Sequence, residues 1–232
     1  MKRYLATAFP LFLLTTVVLT SAMARAAKEP PHFVPVNVLT VSAVPYPASS
    51  LDAGIVTLAI NLDDRGQIAS VSILRDLPSV SGLAISALHS WTFSAATLDG
   101  KPVPSSVVVN IIYDPGFLGA DNIPLPPPSQ TAPIPNKDKL PPYLPPQLNT
   151  ASFAPYPASA KKQDTVAFNV SINAASNITK VTTIRDVPPL TAPALATIKK
   201  WSYSAASYDG NAIPSMMVVA IVFHSPNAPI PQ

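Results

Sequence analysis

Residues 91–100 read WTFSAATLDG, and residues 201–210 read WSYSAASYDG, 110 positions later. Carried outward without a gap, the same offset lays Tyr46, Pro47, Ala48 and Ser49 on Tyr156, Pro157, Ala158 and Ser159. It also lays Arg75, Asp76 and Pro78 on Arg185, Asp186 and Pro188. About a third of the positions between Tyr46 and Tyr113 recur in the second copy, among them the Trp, the Asp-Gly turn and the apolar strand positions. A fold needs those positions, so the chain is one folding unit written twice.

Within a copy the periodicity changes from two to 3.6 and back. Val56, Leu58, Ile60 and Leu62 alternate with more polar neighbours, as do Val166, Phe168, Val170 and Ile172, which is the signature of a half-buried strand. Asp63, Asp64, Arg65 and Gly66 turn the chain into a returning strand over 67–74, where Ile68 falls out of phase with Val71 and Ile73 and predicts a bulge. The second copy turns through 173–177 without a glycine, and asparagine is expected to carry the positive φ there. Val80, Ala84, Leu88 and Trp91 lie on one helical stripe, as do Leu190, Ala194, Ile198 and Trp201. Ser81 or Thr191 is available as a cap, and Pro193 sits in the first turn, where it is harmless. A last strand follows, with Val107, Val109, Ile111 and Tyr113 inward in the first copy and Met217, Val219, Ile221 and Phe223 inward in the second.

Strand, strand, helix, strand predicts an α+β fold: two tandem β-β-α-β units, each a three-stranded antiparallel sheet in the order 2-1-3 with one helix on one face. The last strand is then an open edge. Its outward face carries Val108 and Ile112, or Val218 and Val222, more apolar than a solvated face usually is. Something is expected to cover it.

The expected organisation is a signal peptide at 1–26, a first unit at 27–114, a proline-rich linker at 115–140, a second unit at 141–225 and a tail at 226–232. Lys2 and Arg3 precede an apolar core over 11–19, and Ala24, Arg25, Ala26 form a small-x-small cleavage site, so export with cleavage after Ala26 is expected. Without Lys2, Arg3 and Arg25, 12 of the 15 basic residues remain against 12 acidic ones, which removes the electrostatic motive for nucleic-acid binding. Cysteine is absent, which excludes disulfides and thiolate metal sites. Each unit is preceded by a proline-spaced arm: Tyr143 and Leu144 stand opposite Phe33 and Val34. The tail's NAPIPQ echoes TAPIPN at 131–136.

Chemistry is scarce. His32, His89 and His224 stand in unrelated settings without a second ligand at metal-binding spacing, so neither a metal nor a cofactor is expected. Asp63 and Asp64 are adjacent in a hairpin turn and point apart, which does not suit a catalytic pair. Asp99 with Gly100 and Asp209 with Gly210 read as turns. Arg75 with Asp76 and Arg185 with Asp186 read as an ion pair or cap at the strand-to-helix junction. No nucleophilic triad or phosphate loop is present, and no enzyme activity is expected.

Each unit resembles the C-terminal domain of the TonB energy transducers. The resemblance rests on YPAS at its start, the hairpin split by DDRG, the WTF and WSY triplets after the helix, the DGKP and DGNA turns, and the closing SSVVVNIIY and SMMVVAIVF. It implies a three-stranded sheet with a helix, whose last strand pairs with a short peptide of an outer-membrane receptor. Partner-binding residues are then Ser105, Ser106, Val107, Val108, Val109, Asn110, Ile111, Ile112 and Tyr113 in the first unit. In the second they are Ser215, Met216, Met217, Val218, Val219, Ala220, Ile221, Val222 and Phe223. Transducers of the family carry an uncleaved anchor helix with a His; this leader has no His, and Thr92 or Ser202 replaces the usual basic residue after the Trp. The expected function is a periplasmic, non-catalytic module that binds a protein or extended peptide by strand addition. The alternatives are a membrane-anchored transducer and a structural envelope protein whose two units pack on each other.

Overall fold

The computed structural model describes residues 33–47, 50, 52–116, 123–124, 143–208 and 210–225. The expected signal peptide, the tail, Asp209 and most of the linker lie outside them. Both copies fall within one compact unit, Pro31–Gln232.

The long strands are β1 (Gly54–Leu62), β2 (Ile68–Arg75) and β3 (Ser105–Asp114) in the first copy, and β4 (Asp164–Ile172), β5 (Ile178–Arg185) and β6 (Ser215–Phe223) in the second. The helices are α1 (Ser81–Leu88) and α2 (Thr191–Ile198). The six strands form one open sheet in the order β5-β4-β6-β3-β1-β2. The expectation of two separate three-stranded sheets is thereby corrected. Antiparallel pairing joins β1 to β2 and to β3, and likewise β4 to β5 and to β6. The new feature is the centre, where β3 and β6 lie side by side in parallel, Val109 opposite Val218 through Asp114 opposite Phe223.

Local chemistry explains the elements. The bulge expected near Ile68 lies where Asn61 faces Ser70 but Leu62 faces Ile68, and the second copy repeats it with Ser171 on Lys180 and Ile172 on Ile178. Asp63 Oδ1 accepts from the N–H groups of Arg65 and Gln67, closing the first turn over Gly66 at φ 78°. In the second copy Ser176, not an asparagine, takes the positive φ of 65°, and its hydroxyl accepts from Ala205 N–H. Asp99 and Gly100, at φ 50° and 77°, make the tight turn between Ala96–Leu98 and Lys101–Val103. The expectation of Ser81 and Thr191 as caps is corrected: neither helix has a side-chain cap, and Ser81 Oγ and Thr191 Oγ1 instead accept from the N–H groups of Leu77 and Val187, upstream of the helices.

Two large cores form, one on each face of the sheet, and Ala59, Leu74 and Val108 make a small separate cluster. On one face α1, through Ala84 and Leu88, packs with Trp91 over Val56, Leu58, Ile60, Val107, Val109 and Ile111. On the other, α2, through Ala194 and Ile198, packs with Trp201 over Val166, Phe168, Val170, Met217, Val219 and Ile221. Alternation along β3 and β6 leaves each with a second apolar face turned towards the other copy's side. The arms cover it. Val36, Val38, Val41 and Val44 of the first arm (33–46) share a core with Val218, Ala220 and Val222. Leu148, Ala151 and Ala154 of the second arm (143–156) share the opposite core with Ile112. Each arm thus stays on its own helix side while lying over the other copy's strands.

Candidate partner-binding seam

The residues expected to offer open edges lie in the middle of the sheet. Val109, Asn110, Ile111, Ile112 and Tyr113 pair with Val218, Val219, Ala220, Ile221 and Val222, while Ser105–Val108 and Ser215–Met217 stay outside that parallel ladder but inside the antiparallel ones. The open-edge expectation is therefore corrected for both strands. The physical reason is visible in the side chains: most of these residues are buried on both faces, as a central parallel pair requires. Among the described residues, the edges of the sheet are β2 and β5.

Polar groups fasten each arm to the opposite copy by gripping its backbone. Thr165 Oγ1 accepts from Val44 N–H at 2.9 Å and donates to Val44 O at 3.2 Å; Asn169 Nδ2 donates to Val38 O, and Gln163 Nε2 to Tyr46 O. On the second arm, Arg75 donates to Leu148 O at 3.2 Å and also to Thr57 Oγ1, whose hydroxyl donates to the fully buried Asn110 Oδ1. Burial lowers the Arg75 pKa. Arg75 therefore serves the contact between copies. Arg185 forms an ion pair with Asp164 at 2.7 Å, with Asp164 as the acid in place of the expected Asp186.

Asp114 closes the seam at its C-terminal end. It has no solvent exposure, and its two carboxylate oxygens accept from Gly116 N–H and from Ala154 N–H, each at 2.8 Å. Its backbone oxygen accepts from His224 N–H at 2.8 Å. Burial pushes the Asp114 carboxyl up from 3.8 to about 6, against the opposing pull of the two N–H groups. Tyr46 sits edge-on to both Tyr113 and His224, at 5.4 and 4.9 Å between centroids. Burial first, then the Asp114 and Asp52 carboxylates, raise its phenol to about 12. His224 is buried, and among the described residues neither ring nitrogen has a hydrogen-bond partner. Sequence reading passed over this corner. Its one signal is that the offset pairs Asp114 with His224, an exchange of acid for base within an otherwise apolar run.

Among the described residues no group of three or more His, Cys, Asp or Glu is placed to hold a metal ion, and no helix is long and apolar enough to cross a membrane. The arrangement joins strands and grips backbone.

No curated protein and no solved structure matches the chain. Residues 154–225 match the family described as the Gram-negative bacterial TonB protein C-terminal, so the second copy is similar to that domain, and the match does not extend to the first.

Proposed function

We propose that the chain is an exported, non-catalytic protein of the cell envelope that binds an extended segment of a partner protein by strand addition, at β2 and β5 and not at its last strands. The observation that carries this reading is the parallel seam: β3 and β6 already occupy each other, and among the described residues the outermost strands of the sheet are β2, whose Leu74 and Arg75 end has partners of its own, and β5. A strand at a sheet edge presents unpaired N–H and C=O groups to an incoming chain, which is the physical basis of strand addition. The likeness of residues 154–225 to the TonB C-terminal domain supports an envelope setting and a protein partner, of which an outer-membrane receptor is one class.

Photo-crosslinking groups placed at Ser70 and Thr182, on the two edges, test the reading in intact cells, with Lys199 at the end of α2 as control. Discrete adducts at the edge positions, absent at Lys199, are the expected result; adducts confined to Lys199 would overturn it. The seam also favours a second reading, a purely structural envelope protein, which predicts no adduct at either edge. Export is tested by N-terminal sequencing of the fractionated protein: a start at Ala27 is expected, and an intact Met1 in the inner membrane would favour an anchored transducer instead.

A further inference from the structure

The two arms are the same piece of structure and differ, among the described residues, in one neighbour. In the second arm Gln147–Ala151 is the middle strand of three, flanked by Ser202–Ser204 on one side and Ile123–Pro124 on the other, with Thr150 opposite Pro124 and Ala151 opposite Ile123. In the first arm Val38–Thr40 has Thr92–Phe93 on the corresponding side, and among the described residues no strand pairs with its other side. Both arms carry the same register irregularity, between Val38 and Thr40 and between Leu148 and Thr150, so they correspond residue for residue. Leu39, in the middle of that strand, is 58% exposed.

We propose that this edge is the docking place of the chain's own C-terminal tail, with Ile230 and Pro231 lying antiparallel along Val41 and Thr40 as Ile123 and Pro124 lie along Ala151 and Thr150. The parallel seam fixes where the tail starts. β3 and β6 end side by side, with His224 N–H on Asp114 O, so the linker and the tail leave the body together. The linker leaves beside the second arm, whose Ala154 N–H is held by Asp114. The tail leaves beside the first arm, whose Tyr46 ring lies 4.9 Å from His224. The six residues from Ser225 to Ile230 can span about 20 Å when extended, and the stretch of arm from Tyr46 back to Val41 covers about 17 Å, so the tail reaches. The sequence also fits. Tail residues 228–231 read APIP and supply the same Ile-Pro pair that the second arm receives from 123–124. Proline suits only an outermost strand, because it has no N–H to give a further neighbour. This inference stands apart from the functional reading above.

The absence of cysteine makes the test direct. In the full chain, Thr40→Cys with Pro231→Cys should oxidise to an intramolecular disulfide, since directly opposed strand positions lie within bridging distance. Val41 N–H should exchange at least tenfold faster in Ile230→Asp than in the parent. Ile134→Asp, which alters the other APIP copy, should leave that exchange unchanged. A disulfide linking two chains would place the tail on a second copy and overturn the assignment. So would loss of Val41 protection in Ile134→Asp, or equal exchange in the parent and Ile230→Asp.

Discussion

Ser152 does for Trp201 what Ser42 does not do for Trp91. The indole Nε1 of Trp201 donates to Ser152 Oγ at 3.0 Å, whereas Ser42 Oγ turns to Ser90 Oγ at 2.6 Å and Trp91 Nε1 is buried without a partner among the described residues. Removing a partner from a buried donor costs about 1–3 kcal/mol, so Ser152→Ala should destabilise by that amount in urea unfolding, and Ser42→Ala by less than about 1 kcal/mol. Asp114 gives a pH signature. Its folded pKa, about 6, lies above the ordinary 3.8, so the native state holds the proton more tightly than the unfolded chain. The stabilisation linked to that proton is complete below pH 3.8 and is lost as pH rises through about 6. A shift of this size corresponds to at most about 3 kcal/mol. The stability difference between the parent and Asp114→Asn, followed by chemical unfolding from pH 4 to 7, should therefore fall as pH rises. A flat difference would remove the burial argument.

At the scale of the element, the two hairpin turns solve one problem in two ways. Gly66 has φ 78°, and a Cβ there would come within 2.6 Å of Phe93 O, so Gly66→Ala meets both backbone strain and a clash with main chain. It should cost more than about 2 kcal/mol by thermal or urea melting. Ser176 occupies the equivalent place and offsets its φ of 65° with the bond to Ala205 N–H. Ser176→Gly exchanges that bond for relief of strain and should stay within about 1 kcal/mol of the parent. Much at this scale was legible in the sequence. Period-two alternation marked β1 and β4, the phase slip of Ile68 marked the bulge, and the stripes ending at Trp91 and Trp201 marked the helices. What alternation cannot carry is the neighbour: it tells which side chains share a face, not which strand lies alongside. Ile112, Val218 and Val222 announced that the outer faces are covered, but nothing local said that the cover is an arm and the adjoining strand a second copy. The carrier of the positive φ in the second turn was misread because a serine takes it through a bond 29 residues away.

At the scale of the molecule, the arms decide how the copies depend on each other. Val218, Ala220 and Val222 belong to the second copy by sequence but to the core that contains α1 and Trp91 by packing, and Ile112 crosses over in the opposite sense. Neither half can lose its core without exposing apolar residues of the other, and the seam adds a ladder from Val109–Val218 to Asp114–Phe223. Unfolding is then one transition, although the chain reads as two units. The two tryptophans allow a direct check, one per copy. In a Trp91→Phe background, Trp201 reports the second copy alone. Leu58→Ala, buried in the first copy, should cost about 2–5 kcal/mol and shift the Trp201 transition by the same amount as the circular dichroism transition. Independent units would leave the Trp201 midpoint where it was and split the dichroism curve in two. A coincident shift would mean that the energetic unit of this protein is the whole six-stranded sheet, with duplication surviving only as its symmetry.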